Sequence, residues 1–435
     1  MASTTTAIST IAAKRPDEAY FTPPDNIVLE ALYRDINNSE LNGSPSPGPD
    51  GSELELLSSL NDPKHANFQP TIFSSWDYDL HDFKTPRNWR ERILQQYVKW
   101  ARTVVRHETD VVFVSHLLLY FSTALPSAIY LFYDFNLWHG IAHVVYIVWC
   151  SGAFTLMMHN HIHNRGVLSK SYGLFDWTFP YILEPLMGHT WDSYYYHHVK
   201  AHHVEGNGPD DLSSTIRYQR DSVLHFLHYE LRFLLLCWFD LPCYFVRKGK
   251  YNLACRMLLT EGSAYAMMYL LARWKFKPTL YVILLPFVVL RVGLMIGNWG
   301  QHCLVDDVSP DSDFRSSITL IDVPSNRFCF NDGYHTSHHL NPLRHWRDHP
   351  HAFLAAKERY SNEGALVFQN IDYLEITYRV LTKNYMYLAS KLVPMGSQIG
   401  MSQQELADML RTKTRKLTEE EIAVKFSKHA AMKNR

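Results

Sequence analysis

The chain has 435 residues, with 42 Lys+Arg against 43 Asp+Glu, and this balance gives no footing for nucleic-acid binding. Its length allows a large core in one or two domains. Six cysteines (Cys150, Cys237, Cys243, Cys255, Cys303, Cys329) form no C-x-x-C pair and lie in or near apolar stretches, which supports neither a zinc ribbon nor a disulfide framework. What stands out is 24 histidines and 14 % aromatic content, a combination that fits a membrane protein with a metal site.

In chain order, residues 1–80 read as a flexible N-terminal region. Met1 to Ala13 is rich in Ser, Thr and Ala and faintly resembles an organellar transit peptide, without an Arg-rich amphipathic pattern or a secretory apolar stretch. Residues 42–51 have linker composition. Seven basic residues (Lys84, Arg87, Arg90, Arg92, Lys99, Arg102, Arg106) are interleaved with Trp89, Ile93, Val98, Trp100 and Val104, a pattern that predicts a helix lying on an anionic leaflet. Two apolar stretches follow, 111–133 and 137–158, separated by three residues. Each is long enough, at ~1.5 Å per residue, to span a ~30 Å hydrocarbon core. The stretches 167–188 and 223–246 carry charges and prolines and suit helices in the interface. A second hairpin is expected from 253–272 and 279–297, with Glu261 and Arg291 at matching depth as a structural ion pair. The basic run before the first span places both termini in the cytosol, although the three basic residues of the 273–278 turn run against that orientation. Residues 356–435 read as a cytosolic helical tail, with capping-box spacing at Ser402…Glu405 and Thr418…Glu421.

The stretch 197–203 holds four imidazoles in seven residues. Read from His198, its spacing is H-x-x-x-H-H; on an α-helix His198 and His202 share a face, with His203 turned away toward a second metal or another side of the first. Three more groups lie at or beyond the cytosolic ends of the expected spans: His159 and His163, Asn298 and His302, and His335 with His338 and His339. Nine imidazoles (159, 163, 198, 202, 203, 302, 335, 338, 339) exceed what one ion takes and suit two. A pair of irons held mainly by imidazole with open positions fits this donor set better than zinc. Asp210, Asp211, Asp306, Asp307 and Asp332 are candidates to accept the outer ring N–H of a ligand. His161 and His197 lie close to the paired positions, whereas His189, His345, His349 and His351 show no paired spacing.

On these residues the chain resembles the membrane fatty acid desaturase/hydroxylase family, over roughly residues 100–355. The family's three histidine boxes occur in order as His159…His163, His198…His202-His203 and His335…His338-His339. The Asn298…His302 pair is similar to the extra ligand pair of stearoyl-CoA desaturases, in which the Asn acts through a water. The resemblance implies an all-α membrane protein: four transmembrane helices in two hairpins, with a cytosolic helical cap over a histidine-rich dimetal site, the membrane domain covering 81–355. It implies two Fe ions, O2 as co-substrate, and a fatty acyl lipid or acyl-CoA substrate. No His-Pro-Gly-Gly haem motif is present, so electrons come from a separate carrier of cytochrome b5 or ferredoxin type. The endoplasmic reticulum is the expected membrane, a plastid membrane the other. Trp191, Tyr194, Tyr195 and Trp299 flank ligand groups and are candidates to line the acyl channel. A hydroxylase or acetylenase on the same scaffold remains open, and a His-rich metal transporter is the reading from another class.

Overall fold

The computed structural model describes residues 22–42, 51–73, 76–77 and 89–426. The expectations for Met1 to Ala13, for most of the 42–51 linker and for Lys84 and Arg87 fall outside these residues. Among the described residues the chain is mostly helical, and its strands form two two-stranded sheets.

The described part of 1–80 departs from the flexible region expected. Helices α1 (Pro23–Asn42) and α2 (Gly51–Asn61) are followed by a small antiparallel pair, β1 (Thr71–Phe73) and β2 (Trp76–Asp77). Val28, Leu29, Leu32 and Ile36 form a stripe at helical spacing. They are buried, with Leu57 of α2, against Phe314, Ile321, Tyr334 and Phe353. A polar average over the first 80 residues hides this stripe. A buried ion pair, Asp35–Lys357, adds to the same contact.

Helix α3 (Trp89–Val104) is amphipathic as expected: Val98, Ala101 and Val104 are buried, while Trp89, Ile93 and Trp100 are exposed. Among the described residues three helices are long and apolar enough to cross a membrane: α4 (Val111–Tyr133), α5 (Leu137–Asn164) and a later helix, Phe276–His302. In α4 the helix breaks at Thr123, three residues before Pro126, whose missing N–H cannot continue the ladder. Helix α5 runs six residues beyond the expected end, and Arg165 (φ +56°) and Gly166 (φ +119°) terminate it. His159 and His163 therefore sit on the last turns of the span rather than after it.

After α6 (Gly173–Leu186) and a short helix at 195–205 (α7), α8 (Val223–Arg247) buries Tyr229, Leu241 and Tyr244 and exposes Leu224, Leu227, Leu231, Leu235, Trp238 and Phe239. The expected third span is α9 (Tyr251–Trp274). It is long enough, but Arg256, Thr260, Glu261 and Ser263 leave it more polar than the other three, so apolarity alone marks three helices and not four. The fourth expected span, α10 (Phe276–His302), extends five residues past 297 and carries Asn298 and His302 on its final turns. The expected pair forms between α9 and α10. Arg291 contacts Glu261, whose other oxygen accepts from the Thr190 hydroxyl; Tyr265 donates to the same carboxylate.

The boundary expected at 355 cuts through one core. Strand β3 (Ile318–Ile321) pairs in parallel with β4 (Leu366–Gln369) across the short helix α11 (His335–Leu340). Helix α12 (Tyr373–Leu381) lies on α10 so closely that a Cβ on Gly300 would sit 2.4 Å from the Tyr373 carbonyl oxygen. Trp299, Leu304 and Ile318 share a buried cluster with Ile376, with Leu388 of α13 (Tyr385–Lys391) and with Leu406 of α14 (Gln403–Thr412). The helices expected in the tail are present, and both α14 and α15 (Glu419–Lys425) open on the capping boxes read from sequence.

Candidate metal centre

The eight box histidines and His302 converge where the C-terminal turns of α5 and α10 meet α7 and α11. They form two adjacent groups. His159, His163, His198, His203 and His338 each offer a ring nitrogen within 4.8 Å of the others; His202, His302 and His339 do the same. His335 stands beside the second group, its Nε2 3.0 Å from that of His302.

The division of the middle box differs from the α-helical reading. His198 joins His203, not His202, because Tyr195–His202 is a π-helix. Its wider turn, with i→i+5 hydrogen bonds, brings the residue five positions on much nearer the same face than an α-helix does, and His203 Nε2 comes within 3.0 Å of that of His198. One irregular turn thereby sends His198 and His203 to the first group and His202 to the second.

In the first group, four Nε2 atoms form a closed quadrilateral: His159–His338 2.9 Å, His338–His203 2.8 Å, His203–His198 3.0 Å and His198–His159 3.0 Å. Hydrogen bonds do not satisfy such a ring. A neutral imidazole has one donor and one acceptor nitrogen, and here one nitrogen of each ring faces two neighbours. The centre of a square with these edges lies about 2.1 Å from each corner, the length of a metal–imidazole bond. The fifth ring, His163, has a buried Nε2 with no hydrogen-bond partner and lies with its centroid 4.7–5.2 Å from those of the other four. Burial, reinforced by the neighbouring imidazoles, pushes His198, His203 and His338 well below the usual histidine range, so their lone pairs are free to coordinate. Five converging neutral imidazoles fit a divalent metal. Among the described residues, neither group includes a cysteine or carboxylate.

The second group is held from outside. His202 donates from Nδ1 to Asp211 Oδ2 at 2.8 Å, which leaves Nε2 to face the group. Asp211 also accepts from the backbone N–H groups of Asn207 and Ser213. Although burial opposes it, the His202 partnership holds Asp211 below the usual carboxylate range. Asp313 lies 3.4 Å from His339 Nδ1, and the buried Nε2 of His339 has no hydrogen-bond partner. Asn298 commits its amide N–H groups to the Ser213 carbonyl and the Tyr229 hydroxyl, leaving its carbonyl oxygen as the group able to bind a water.

Of the five acids considered from sequence, Asp211 alone takes the expected role. Asp210 pairs with Lys248, Asp306 with Arg315 and Lys413, and Asp307 with Arg415. Asp332 lines a water-sized cavity of about 30 Å³ beside His159, His163 and His338, and burial pushes its carboxyl up to about 7. Asp313 was missed, since nothing in its local sequence marks it. The π-turn was also invisible, because its sequence reads as an ordinary helix.

The remaining candidates separate clearly. His161 faces Phe179 and Asp176, and His197 meets Phe233 edge-to-face; neither enters a group. His345 is bound to Asp110, and His349 to Ser337. Among the four aromatic channel candidates, Tyr194 has ring contacts with box histidines, 5.1 Å from His198 and 6.4 Å from His159. Trp191 donates to the Tyr181 carbonyl, and Tyr195 packs on Tyr196. Trp299 is fully buried among Tyr218, Phe226 and Tyr229 and donates to the Arg220 carbonyl.

Comparison with curated proteins and with solved structures returns no match. The sequence matches the fatty acid desaturase family over residues 135–370, more than half of the chain, and that span holds all three histidine boxes and the Asn298–His302 pair. The chain belongs to the fatty acid desaturase family, whose members are oxidoreductases that modify fatty acyl chains.

Proposed function

We propose that this protein desaturates a fatty acyl chain with O2 at a pair of irons. The quadrilateral of four Nε2 atoms with a fifth unpartnered imidazole beside it is the observation that carries the reading. His159, His163, His198, His203 and His338 would hold one iron; His202, His302, His335 and His339, with Asn298 through a water, would hold the other. Together with O2 such a centre supplies an oxidant able to take hydrogen from an unactivated methylene, which no side-chain acid or base can do at neutral pH. Dioxygen accepts four electrons: two leave with the two hydrogens of the acyl chain, and two come from a separate carrier of cytochrome b5 or ferredoxin type. Two protons from solvent complete two waters.

The chain's own residues do the positioning. Asp211 fixes the His202 tautomer and is itself held by three further hydrogen bonds, from the Asn207 and Ser213 backbone N–H groups and the Ser213 hydroxyl. Tyr194 closes the side of the first group next to His198. The substrate is a fatty acyl lipid or acyl-CoA.

We also propose that α9 is the fourth span. Helices α5 and α10 run in the same direction and end together at the histidines, so the chain recrosses between them. At ~1.5 Å per residue, the 24 residues of α9 reach about 36 Å. The sequence-based topology, with cytosolic termini in the endoplasmic reticulum or a plastid membrane, follows from the basic run before α4.

Expression in yeast with analysis of fatty acid methyl esters tests the reaction. A new double bond supports desaturation, whereas a hydroxy or acetylenic product moves the chain to the corresponding reaction on the same scaffold. An unchanged lipid profile together with zinc as the bound metal would favour the transporter reading.

A further inference from the structure

The N-terminal helix α1 ends in a contact that its sequence does not advertise. Asp25, in the first turn of α1, is fully buried. Its Oδ1 accepts from the Tyr334 hydroxyl at 2.6 Å; its Oδ2 accepts from Asn326 Nδ2 at 3.0 Å and from the backbone N–H of Asp322 at 3.1 Å. All three donors belong to one connecting loop segment, residues 322–334, which holds a single short helical turn (Pro324–Phe328) and leads directly into His335.

That loop needs holding. Asp322, Phe330 and Asn331 have φ of +57°, +59° and +57°, a left-handed conformation that costs each non-glycine residue free energy. Asn326 braces the turn from inside, accepting from the Gly333 N–H at 2.8 Å and donating to the Leu320 carbonyl at 3.0 Å. A Cβ on Gly333 would lie 2.4 Å from Asn326 Oδ1 and 2.5 Å from the Leu320 oxygen, so the backbone there has no slack. Asp25 fastens both ends of the turn at once: Asp322 where it opens, and Tyr334 where it hands over to α11. Asp25 lies 110 residues before the first residue of the family match, so the match accounts for the histidines but not for this support.

We infer that Asp25 is a positioning residue for the third histidine box: through Tyr334 and Asn326 the N-terminal helix sets where His335, His338 and His339 stand, and so how tightly the centre holds metal. The inference rests on the reading of the two imidazole groups as a metal centre. Asp25→Asn places an –NH2 against one of the donors that Asp25 now satisfies. Tyr334→Phe removes the 2.6 Å bond and leaves the ring in place.

The test uses the full chain purified in detergent, loaded with Fe(II) and challenged with a graded chelator, alongside the melting temperature of the metal-free protein. Leu32→Ala, a buried α1 residue that shares an apolar cluster with the Tyr334 ring but takes no part in the Asp25 hydrogen bonds, is the control for simple loss of packing. Asp25→Asn and Tyr334→Phe are expected to weaken iron retention about 10-fold or more, the range for removing support behind a ligand. The double variant should be no worse than the weaker single. Leu32→Ala should lower the melting temperature while retaining iron as the unmodified chain does. Iron retention unchanged in Asp25→Asn, or lost equally in Leu32→Ala, would overturn the inference. An unmodified chain that binds no iron would instead overturn the metal-centre reading itself.

Discussion

The two imidazole groups are built on different principles. In the five-histidine group the rings fix one another: edges of 2.8–3.0 Å link four of them, and no carboxylate hydrogen bond to any of the five is seen among the described residues. In the second group orientation comes from behind, through Asp211 on His202 and Asp313 near His339. The first arrangement leaves the nitrogens unsatisfied until a cation fills it. In the second, the Asp211 bond fixes the His202 tautomer whether or not metal is present. The first group should therefore be the more sensitive to loss of any single ring, and the second to changes one step removed from it.

The largest effect is expected at the rings the two groups share as neighbours. His203 is a corner of the quadrilateral, and its ring lies 4.9 Å from that of His339. His203→Ala should reduce product by more than about 100-fold, beyond the usual cost of an outer support, and iron analysis should show loss from both groups. Full activity in this variant would end the dimetal reading. Next is Arg291→Ala, which strands a buried Glu261 at a cost of about 3–5 kcal/mol, read as lost folded yield. The double change to leucine should recover part of that loss; additive losses would show that the two residues act separately. Because Thr190 bonds to this pair just ahead of the π-turn, this variant also asks whether the turn keeps its register.

Asp211→Asn distinguishes the two groups. Iron retention in the three-histidine group should fall 10- to 100-fold while the five-histidine group keeps its ion, so metal per chain drops from two toward one. Loss of both ions would mean that the groups are a single unit. Acid should reveal a strap behind the second group. Burial would raise Asp306 from 3.8, but Lys413, with the backbone N–H groups of Ser309 and Val308, holds it down at about 2. A depressed carboxylate stabilises fully above pH 3.8, and its contribution disappears as pH falls through 2. This is worth at most about 2 kcal/mol, and Lys413→Met should flatten that limb of an acid-unfolding curve. The smallest change expected is Asn298→Ala, about 1 kcal/mol or a few-fold in turnover, because a second water can take part of its place.

Much of the site was readable in the chain because metal ligands at i and i+4 on regular helices obey a fixed period. His159 with His163 follows that rule, and the Glu261–Arg291 pair followed from equal distance to the turn. The capping boxes at Ser402 and Thr418 are local by nature. Where the Trp299 ring turns could not be read, because position beside a ligand group says nothing about which way a ring turns in a packed core. Helices α1 and α2 were missed because four apolar residues at helical spacing disappear in a polar average.

By itself the sequence determined the nine imidazoles, their grouping into boxes, and the apolar lengths that place two boxes at helix ends, since these depend on residue type and short-range spacing. The tertiary structure decided the rest. A single π-turn assigns His198 and His202 to different groups, Asp313 finds His339 across 26 residues, and Asp25 reaches the third box from 310 positions away. Contacts of that kind depend on how distant segments pack, and no local pattern records them.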